Sequence, residues 1–329
     1  MFNLKNLSKG IAVSLASVVL LTACGGDAEA PEAVIPAFQE NLVAIETFDT
    51  NVNFSFLGKD QVDNMNFQLD ANVKGDQTDP AQQKAAVDLK ANVTLTSAEA
   101  TTQGNMGVNF LINGTEFLFK LGEFNFKDPS IAPYLPIIES YKDRWLKLSS
   151  DFLPGIVSSL ANERTDEMIE MEEKAKQFFV EADLFDVTKE YGTETVNGRD
   201  SYHYQVSLNQ EGMTAYLNQL GSLMPDSTQT LQPADMDELF NSIKSIDLWI
   251  GKEDHQLSKG IINLMADNAE SQGASFDISL TILANSYNKP VSIEVPAEFE
   301  EFDPLSLMMG LSGQMNSEVP AESDAPAAE

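Results

Sequence analysis

The chain has 329 residues, a formal charge of −31 and one cysteine. That charge repels nucleic acid and anionic headgroups, so neither is expected as an electrostatic partner. A lone cysteine permits no internal disulfide, and a hydrophobic content of 43% is too high for a disordered chain.

Lys5 and Lys9 precede an apolar run from Ile11 to Leu21, and no acid occurs before Asp27. A basic start, a short apolar core and small residues at the cut define an export signal. The run is too short to span a bilayer comfortably as a permanent helix. It ends in Leu21-Thr22-Ala23-Cys24, which resembles the lipobox of a bacterial lipoprotein signal. The resemblance implies cleavage before Cys24 and a diacylglyceryl group on its sulfur. Two or more acyl chains there give stable attachment, where one holds only marginally. Residues 1–23 therefore read as signal peptide, and 24–36, small, acidic and Pro-containing, as the lipidated cysteine and its tether. Residues 37–303 read as the folded body, and 304–329, rich in Ala, Pro, Ser and acids, as a mostly disordered tail. Leu305 to Met309, at the head of that tail, is an apolar patch that suits a last short helix.

The body opens with an expected helix over Ala33–Phe48, where Ile35, Phe38, Leu42 and Ile45 share a face. The period then changes to two. Val52, Phe54 and Phe56 alternate with polar residues, and so do Phe67, Leu69, Ala71 and Val73. Val87, Leu89, Ala91, Val93 and Leu95 follow, then Val108, Phe110 and Ile112, then Phe117, Phe119 and Leu121. Each run predicts a strand with one wet face in an antiparallel sheet. Asn113-Gly114 interrupts the last two runs and predicts a type I′ hairpin. A short strand is expected around Trp145–Leu148.

Asp151–Val180 reads as helical, with Met168, Met171, Ala175 and Phe178 as its inner stripe. Phe185–Val196 and Ser201–Leu208 flank a second Asn-Gly pair, Asn197-Gly198. Tyr202, Tyr204, Val206 and Leu208 share a face. Helices are expected over Glu211–Leu223 and Ala234–Lys244, the latter with Asp235 as N-cap and Glu238 as its capping-box partner. Strands are expected over Ile246–Gly251, Gln256–Asp267, Ala274–Ser286 and Val291–Val295. In the third of these, Phe276, Ile278, Leu280, Ile282 and Ala284 face one way. Runs of strands with segregated helices define an α+β architecture. A curved antiparallel β half-barrel with helices packed in its concave face buries all of these apolar faces in one domain.

Few residues suggest catalysis. His203 alternates onto the wet face and reads as a solvated strand residue, and His255 falls in a turn. There is no Gly-x-Ser-x-Gly elbow, phosphate loop, dinucleotide glycine pattern or zinc cysteine pair. Asp60, Asp63 and Asn64, or Asp76 and Asp79, offer oxygen ligands to calcium but lack EF-hand spacing and read as solvated turns. No two of the many acids stand out as a glycosidase pair. No enzyme, metal or cofactor is therefore expected.

Apolar material remains. For any one strand phenylalanine, core packing is the simpler reading. As a set, Phe54, Phe56, Phe67, Leu69, Leu89, Val93, Phe110, Phe117, Phe119, Tyr204, Val206, Ile278 and Leu280 suit the lining of a ligand cavity. Met168, Met171, Met224, Met236 and Met265 would make that lining adaptable.

Three stretches resemble the LolA/LolB and LppX/LprG-type group of envelope lipoproteins. They are Thr195 to Val206 around the second hairpin, Leu248-Trp249-Ile250 through its turn to Leu257, and Asn288 to Pro296. The resemblance extends weakly over Pro36 to Phe302. It implies an unclosed half-barrel that holds acyl chains of lipids or lipoproteins in transit, lipid-anchored in the cell envelope. It transfers no fixed set of ligand-binding side chains. Gly25 is not the aspartate that the resemblance associates with retention at the inner membrane. Gly25 thus permits an outer-membrane destination, and the expected attachment is to the outer face of a cytoplasmic membrane, or to an outer membrane where there is one. The alternative is a structural lipoprotein with a filled core and a protein partner. A further alternative, an acid-dependent hydrolase, requires converging carboxylates.

Overall fold

The structure is a computed structural model and describes residues 29–59, 63–79, 82–128, 131–148, 166–223, 237, 240–268 and 274–302. Cys24, residues 1–23 expected as an export signal and residues 304–329 expected as a tail lie outside the described residues. So do Asp60, residues 151–165, Met224, Asp235, Met236 and Glu238.

The expected alternating runs become long strands. They are β1 (Thr47–Lys59), β2 (Asn64–Asp76), β3 (Lys84–Thr96), β4 (Thr101–Asn113), β5 (Glu116–Phe126) and β6 (Trp145–Leu148). Further along come β7 (Phe185–Val196), β8 (Arg199–Leu208), β9 (Ile243–Gly251), β10 (Leu257–Asn268), β11 (Ala274–Tyr287) and β12 (Glu300–Phe302). They form one 12-stranded sheet in the order β12-β6-β5-β4-β3-β2-β1-β11-β10-β9-β8-β7. Strands β1–β6 make one antiparallel meander and β7–β11 another. The two join where β1 pairs antiparallel with β11. Only β12 is parallel, on β6. The sheet is open, an α+β half-barrel and not a closed barrel.

Register carries one apolar face across the whole sheet. Phe54 faces Leu69 and Leu280, Phe67 faces Val93, Leu89 faces Val108, and Phe110 faces Phe119. On the other side, Leu280 faces Ile262, Ile262 faces Ile246, and Ile246 faces Val206. Because strand side chains alternate, the intervening Asn, Asp, Ser and Lys residues share the outer face.

The two Asn-Gly turns differ. At Asn197-Gly198 both residues take positive φ, +51° and +79°, between paired Val196 and Arg199. That is the expected type I′ turn. In the first hairpin Asn113 pairs with Glu116, so the turn residues are Gly114-Thr115. Gly114 takes the positive φ, +59°, and Thr115 does not, which fits type II′ with Gly first. Before the first turn, β4 bulges at Gly107. A Cβ on Gly122 would stand 3.4 Å from the Gly107 carbonyl oxygen, so glycine permits the close approach that bends the sheet there.

Helix α1 runs Pro31–Val43, earlier and shorter than the expected Ala33–Phe48. It takes in residues 31–36, which the sequence reading assigned to the tether. Pro31 suits the first helical turn, where its missing N–H costs nothing. Val34, Ile35 and Phe38 form its buried stripe, while Leu42 is 36% exposed. Ile45 lies beyond the helix but still packs on the same core. That core gathers Val34, Ile35 and Phe38 against Tyr202, Tyr204 and Val206 of β8 and Ile246, Leu248 and Ile250 of β9. Leu257, Ala284 and Tyr287 complete it.

Helix α2 is Leu135–Tyr141, helix α3 is Asp166–Glu181 and helix α4 is Gln210–Leu223. Met168, Met171, Ala175 and Phe178 of α3 are half-buried, as their spacing predicts. The buried Gln39 amide of α1 donates to the carbonyls of Phe179 and Ala182 at 2.9 and 3.0 Å. These lie at the carboxyl end of α3, where helical carbonyls lack partners. Residues 240–242 are helical, but the expected helix to Lys244 gives way to β9 at Ile243.

The expected strand Val291–Val295 does not form. Its alternation marks extended chain, but Pro290 and Pro296 lack N–H donors. The neighbouring edges of β1 and β11 are already paired with each other and with β2 and β10. The chain instead travels to the far edge and pairs only as β12. Phe38→Ala is expected to destabilise the fold by about 3–5 kcal/mol through cavity formation, read as a lowered urea midpoint with an unchanged slope.

Candidate functional site

The apolar face divides in two. Over β8–β11 it is filled by α1, and Tyr204 and Val206 are only 2% and 3% exposed beneath that helix. These two candidate lining residues are core residues under α1. Burial first, then the charge of Glu190, pushes the Tyr204 hydroxyl up to about 12.

Over β1–β5 the remaining candidates, Phe54, Phe56, Phe67, Leu69, Leu89, Val93, Phe110, Phe117 and Phe119, are half-buried. Ile278 and Leu280 of β11 are half-buried beside them. Register makes them contiguous. The rings of Phe54 and Phe67 meet edge-on at 6.1 Å, and those of Phe110 and Phe117 lie 5.9 Å apart. At the β5 side the face is walled off. Phe302 of β12 packs edge-on against Phe119 at 5.2 Å and against Tyr141 of α2 at 5.4 Å.

A groove of about 630 Å³ lies at one end of this half and is lined by Phe56, Gly58, Met65, Leu95, Thr102 and Phe276 among others. Met65 and Leu95 are 39% and 44% exposed. Met65, Leu95 and Phe276 were absent from the expected lining. The signal was present, since Met65 extends the alternation of Phe67 and Leu69 by one step and pairs with Leu95. Met265 does not join the lining. It pairs with Asp277 on the outer face and is 41% exposed.

The outer face has its own exceptions to a wet surface. Leu111 and Leu118 face each other across β4 and β5 and are 1% and 0% exposed. His203 lies on this face as expected, but it is buried and not solvated. Its ring stacks between Tyr191 at 4.3 Å and Trp249 at 3.9 Å. Lys189 stands over Tyr191 at 4.1 Å and Lys259 over Trp249 at 4.5 Å, so cations close both ends of the stack. Glu194 accepts from the indole Nε1 of Trp249 at 2.8 Å, and His203 Nδ1 is 2.8 Å from its other oxygen. Asp247 lies 3.5 Å from His203 Nε2. This arrangement fixes the edge strand β7 to β8 and β9.

In the first loop considered for calcium, Asp63 and Asn64 belong to the groove lining. In the second, the Asp76 carboxylate accepts from the Thr78 hydroxyl and backbone N–H at 2.6 and 3.2 Å. Those bonds hold its pKa below the usual value. Among the described residues no three His, Cys, Asp or Glu side chains converge on a metal-sized site.

No protein-family model matches the chain, and no curated protein matches it. Among solved structures it is similar to a DUF1329 family protein from Desulfovibrio piger, at 10% identity over 79% of this chain and 94% of that one, with a TM-score of 0.20. It is similar to lipovitellin, in a structure described for its lipid–protein interactions, at 6% identity over 77% of this chain and 26% of that one, with a TM-score of 0.27. It is also similar to a β-barrel-like protein of domain of unknown function DUF1849 from Brucella abortus, at 7% identity over 74% and 100%, with a TM-score of 0.22. None of the three superposes closely enough to bear on function.

The Glu194 contacts predict a pH effect. Hydrogen bonds from Trp249 and then His203 hold its carboxyl below the ordinary value of 4.5. A carboxyl lowered by folding contributes stability above its unfolded pKa and loses it as pH falls through the folded one. Melting temperature followed from neutral pH to below 4.5, the ordinary value, is expected to fall less steeply in Glu194→Gln than in the parent. The variant is also expected to start lower at neutral pH.

Proposed function

We propose that this is a lipid-anchored envelope lipoprotein that holds a hydrophobic ligand in the half of its trough away from α1, without catalysis. The ligand class is the acyl chain of a lipid or of another lipoprotein. One observation carries the reading. A contiguous row of half-buried and exposed apolar side chains on β11 and β1–β4 opens into a groove of about 630 Å³, within the size range of ligand sites. Contiguous apolar surface left open in this way marks a binding site more often than chance exposure does. A chain of about a dozen methylenes would gain some 10 kcal/mol on burial, before the costs of association are subtracted. Shape and apolar area therefore govern binding, and polar contacts are secondary. Anchoring through acyl groups on Cys24 suits the acidic chain, because attachment through lipid needs no basic patch.

The filled half under α1 favours a second reading, a structural lipoprotein that presents its surface to a protein partner. Ligand uptake separates the two. A dansyl-labelled undecanoic acid is expected to brighten on binding the purified protein. Leu95→Glu places a charge in the groove at an exposed position, so folding is retained while affinity falls about tenfold or more. A parent protein that neither brightens the probe nor yields lipid on extraction would sink the carrier reading.

A further inference from the structure

We propose that the outer, polar face of the sheet carries a separate binding site, a hollow over β3–β5 that takes one unit of a neutral saccharide. It shares no residue with the apolar groove, so the two readings stand or fall separately.

The hollow has a volume of about 260 Å³ and its floor is backbone. Lys90 of β3 pairs with Gly107 of β4. Between the pairs Met106–Phe124 and Val108–Leu121, Gly122 and Glu123 of β5 both fall opposite Gly107. Two neighbouring glycines thus leave a gap in a face that polar side chains otherwise cover. Glycine inside a strand marks a bend or the close approach of a ligand. The bend accounts for the two glycines but not for the side chains around them.

Asp88, Lys90 and Asn92 of β3 and Asn109 of β4 stand at the rim. None of these four side chains has a hydrogen bond or ion pair with another described residue. The outer face on either side is different. Toward the seam, Asn72 donates to Asp49 at 2.9 Å and to Asn51 at 3.1 Å, and Asn53 donates to Asp70. Toward the edge, the Asn125 amide donates to Glu123 at 2.8 Å and to Asn105 at 3.1 Å. The polar network stops at the hollow from both directions, and leaves donors and acceptors there for a ligand.

The rim also selects the class of ligand. An ionised Asp88 only accepts, Lys90 only donates, and the Asn92 and Asn109 amides do both. A hydroxyl does both as well, so a ring bearing several hydroxyls can meet all four groups at once. Asp70, Asp88 and Glu123 outnumber Lys90 around the hollow, and the chain as a whole carries −31. An anionic ligand is therefore repelled, while Lys90 beside the floor opposes a bare cation. The volume falls below the roughly 300 Å³ at which drug-sized sites begin, which suits one sugar ring and not a longer buried segment.

The test is saturation-transfer NMR on the purified full chain with three neutral probes, maltotriose, mannotriose and triacetylchitotriose, and one anionic probe, trigalacturonate. Transfer to at least one neutral probe is expected, with a Kd on the order of 1 mM, because a shallow polar site exchanges bonds to water for bonds to ligand. Trigalacturonate is expected to give none. Gly107→Ala puts a methyl group on the floor, where its Cβ would meet nothing closer than 3.5 Å, and Lys90→Ala removes a donor at an exposed position. Each is expected to weaken binding several-fold with an unchanged melting temperature. If Gly107→Ala lowers the melting temperature, Lys90→Ala decides alone. Absence of transfer to all three neutral probes would overturn the site, as would transfer that these variants leave unchanged. Transfer to trigalacturonate as strong as to the neutral probes would overturn the ligand class.

Discussion

The seam between β1 and β11 is the constraint on which the structure depends. Without it the chain would be two separate meanders, each with an apolar side and a bare edge. Antiparallel pairing from Phe48–Tyr287 to Lys59–Ser275 aligns their apolar sides into one surface. The outer face reinforces the seam, where the Asp49 carboxylate accepts from Asn285 of β11 and Asn72 of β2 at 2.8 and 2.9 Å. A one-residue slip would turn every phenylalanine of β1 onto that asparagine-rich side. The seam joins strands more than 200 residues apart in the chain. Pairing across so great a sequence separation is slow, because loop-closure entropy is lost before the contacts form.

The use of helices follows from the same surface. A single amphipathic helix can cover only part of so wide a sheet. Helix α1 covers the β8–β11 side, and α3 is tied to α1 through the Gln39 amide. The β1–β5 side is bounded instead by short elements at its rim, α2 and β12 with their aromatic contacts. One half of the trough is thus a protein core and the other is surface with the character of a core.

Much of this architecture was legible in the sequence. The strict alternation of Phe67 to Val73 or Val87 to Leu95 leaves little choice of structure or facing, and Asn197-Gly198 fixes its hairpin. What was not legible depended on partners distant in the chain. Nothing near Tyr204 and Val206 says that α1 will take their surface and not that of Phe67. Nothing near His203 says that Tyr191 and Trp249 will enclose it, since that depends on the bulges in β7 and on the register of β9. Val291–Val295 shows the limit of periodicity, because alternation describes an extended chain but not whether a free edge is within reach. Leu111 and Leu118 were passed over for a related reason: each looks like an exception within its own strand, and only their cross-strand pairing makes sense of both.

An open sheet has two outer strands, and each is an invitation to polymerise through backbone pairing. At one end β12 is three residues long, too brief to template another chain. At the other, β7 carries register breaks at Val187/Lys189 and Glu190/Gly192 and the charged residues Asp186, Lys189, Glu190 and Glu194. A neighbouring copy approaching β7 would meet a kinked, charged border. The molecule can therefore keep a broad greasy face accessible without growing into fibrils.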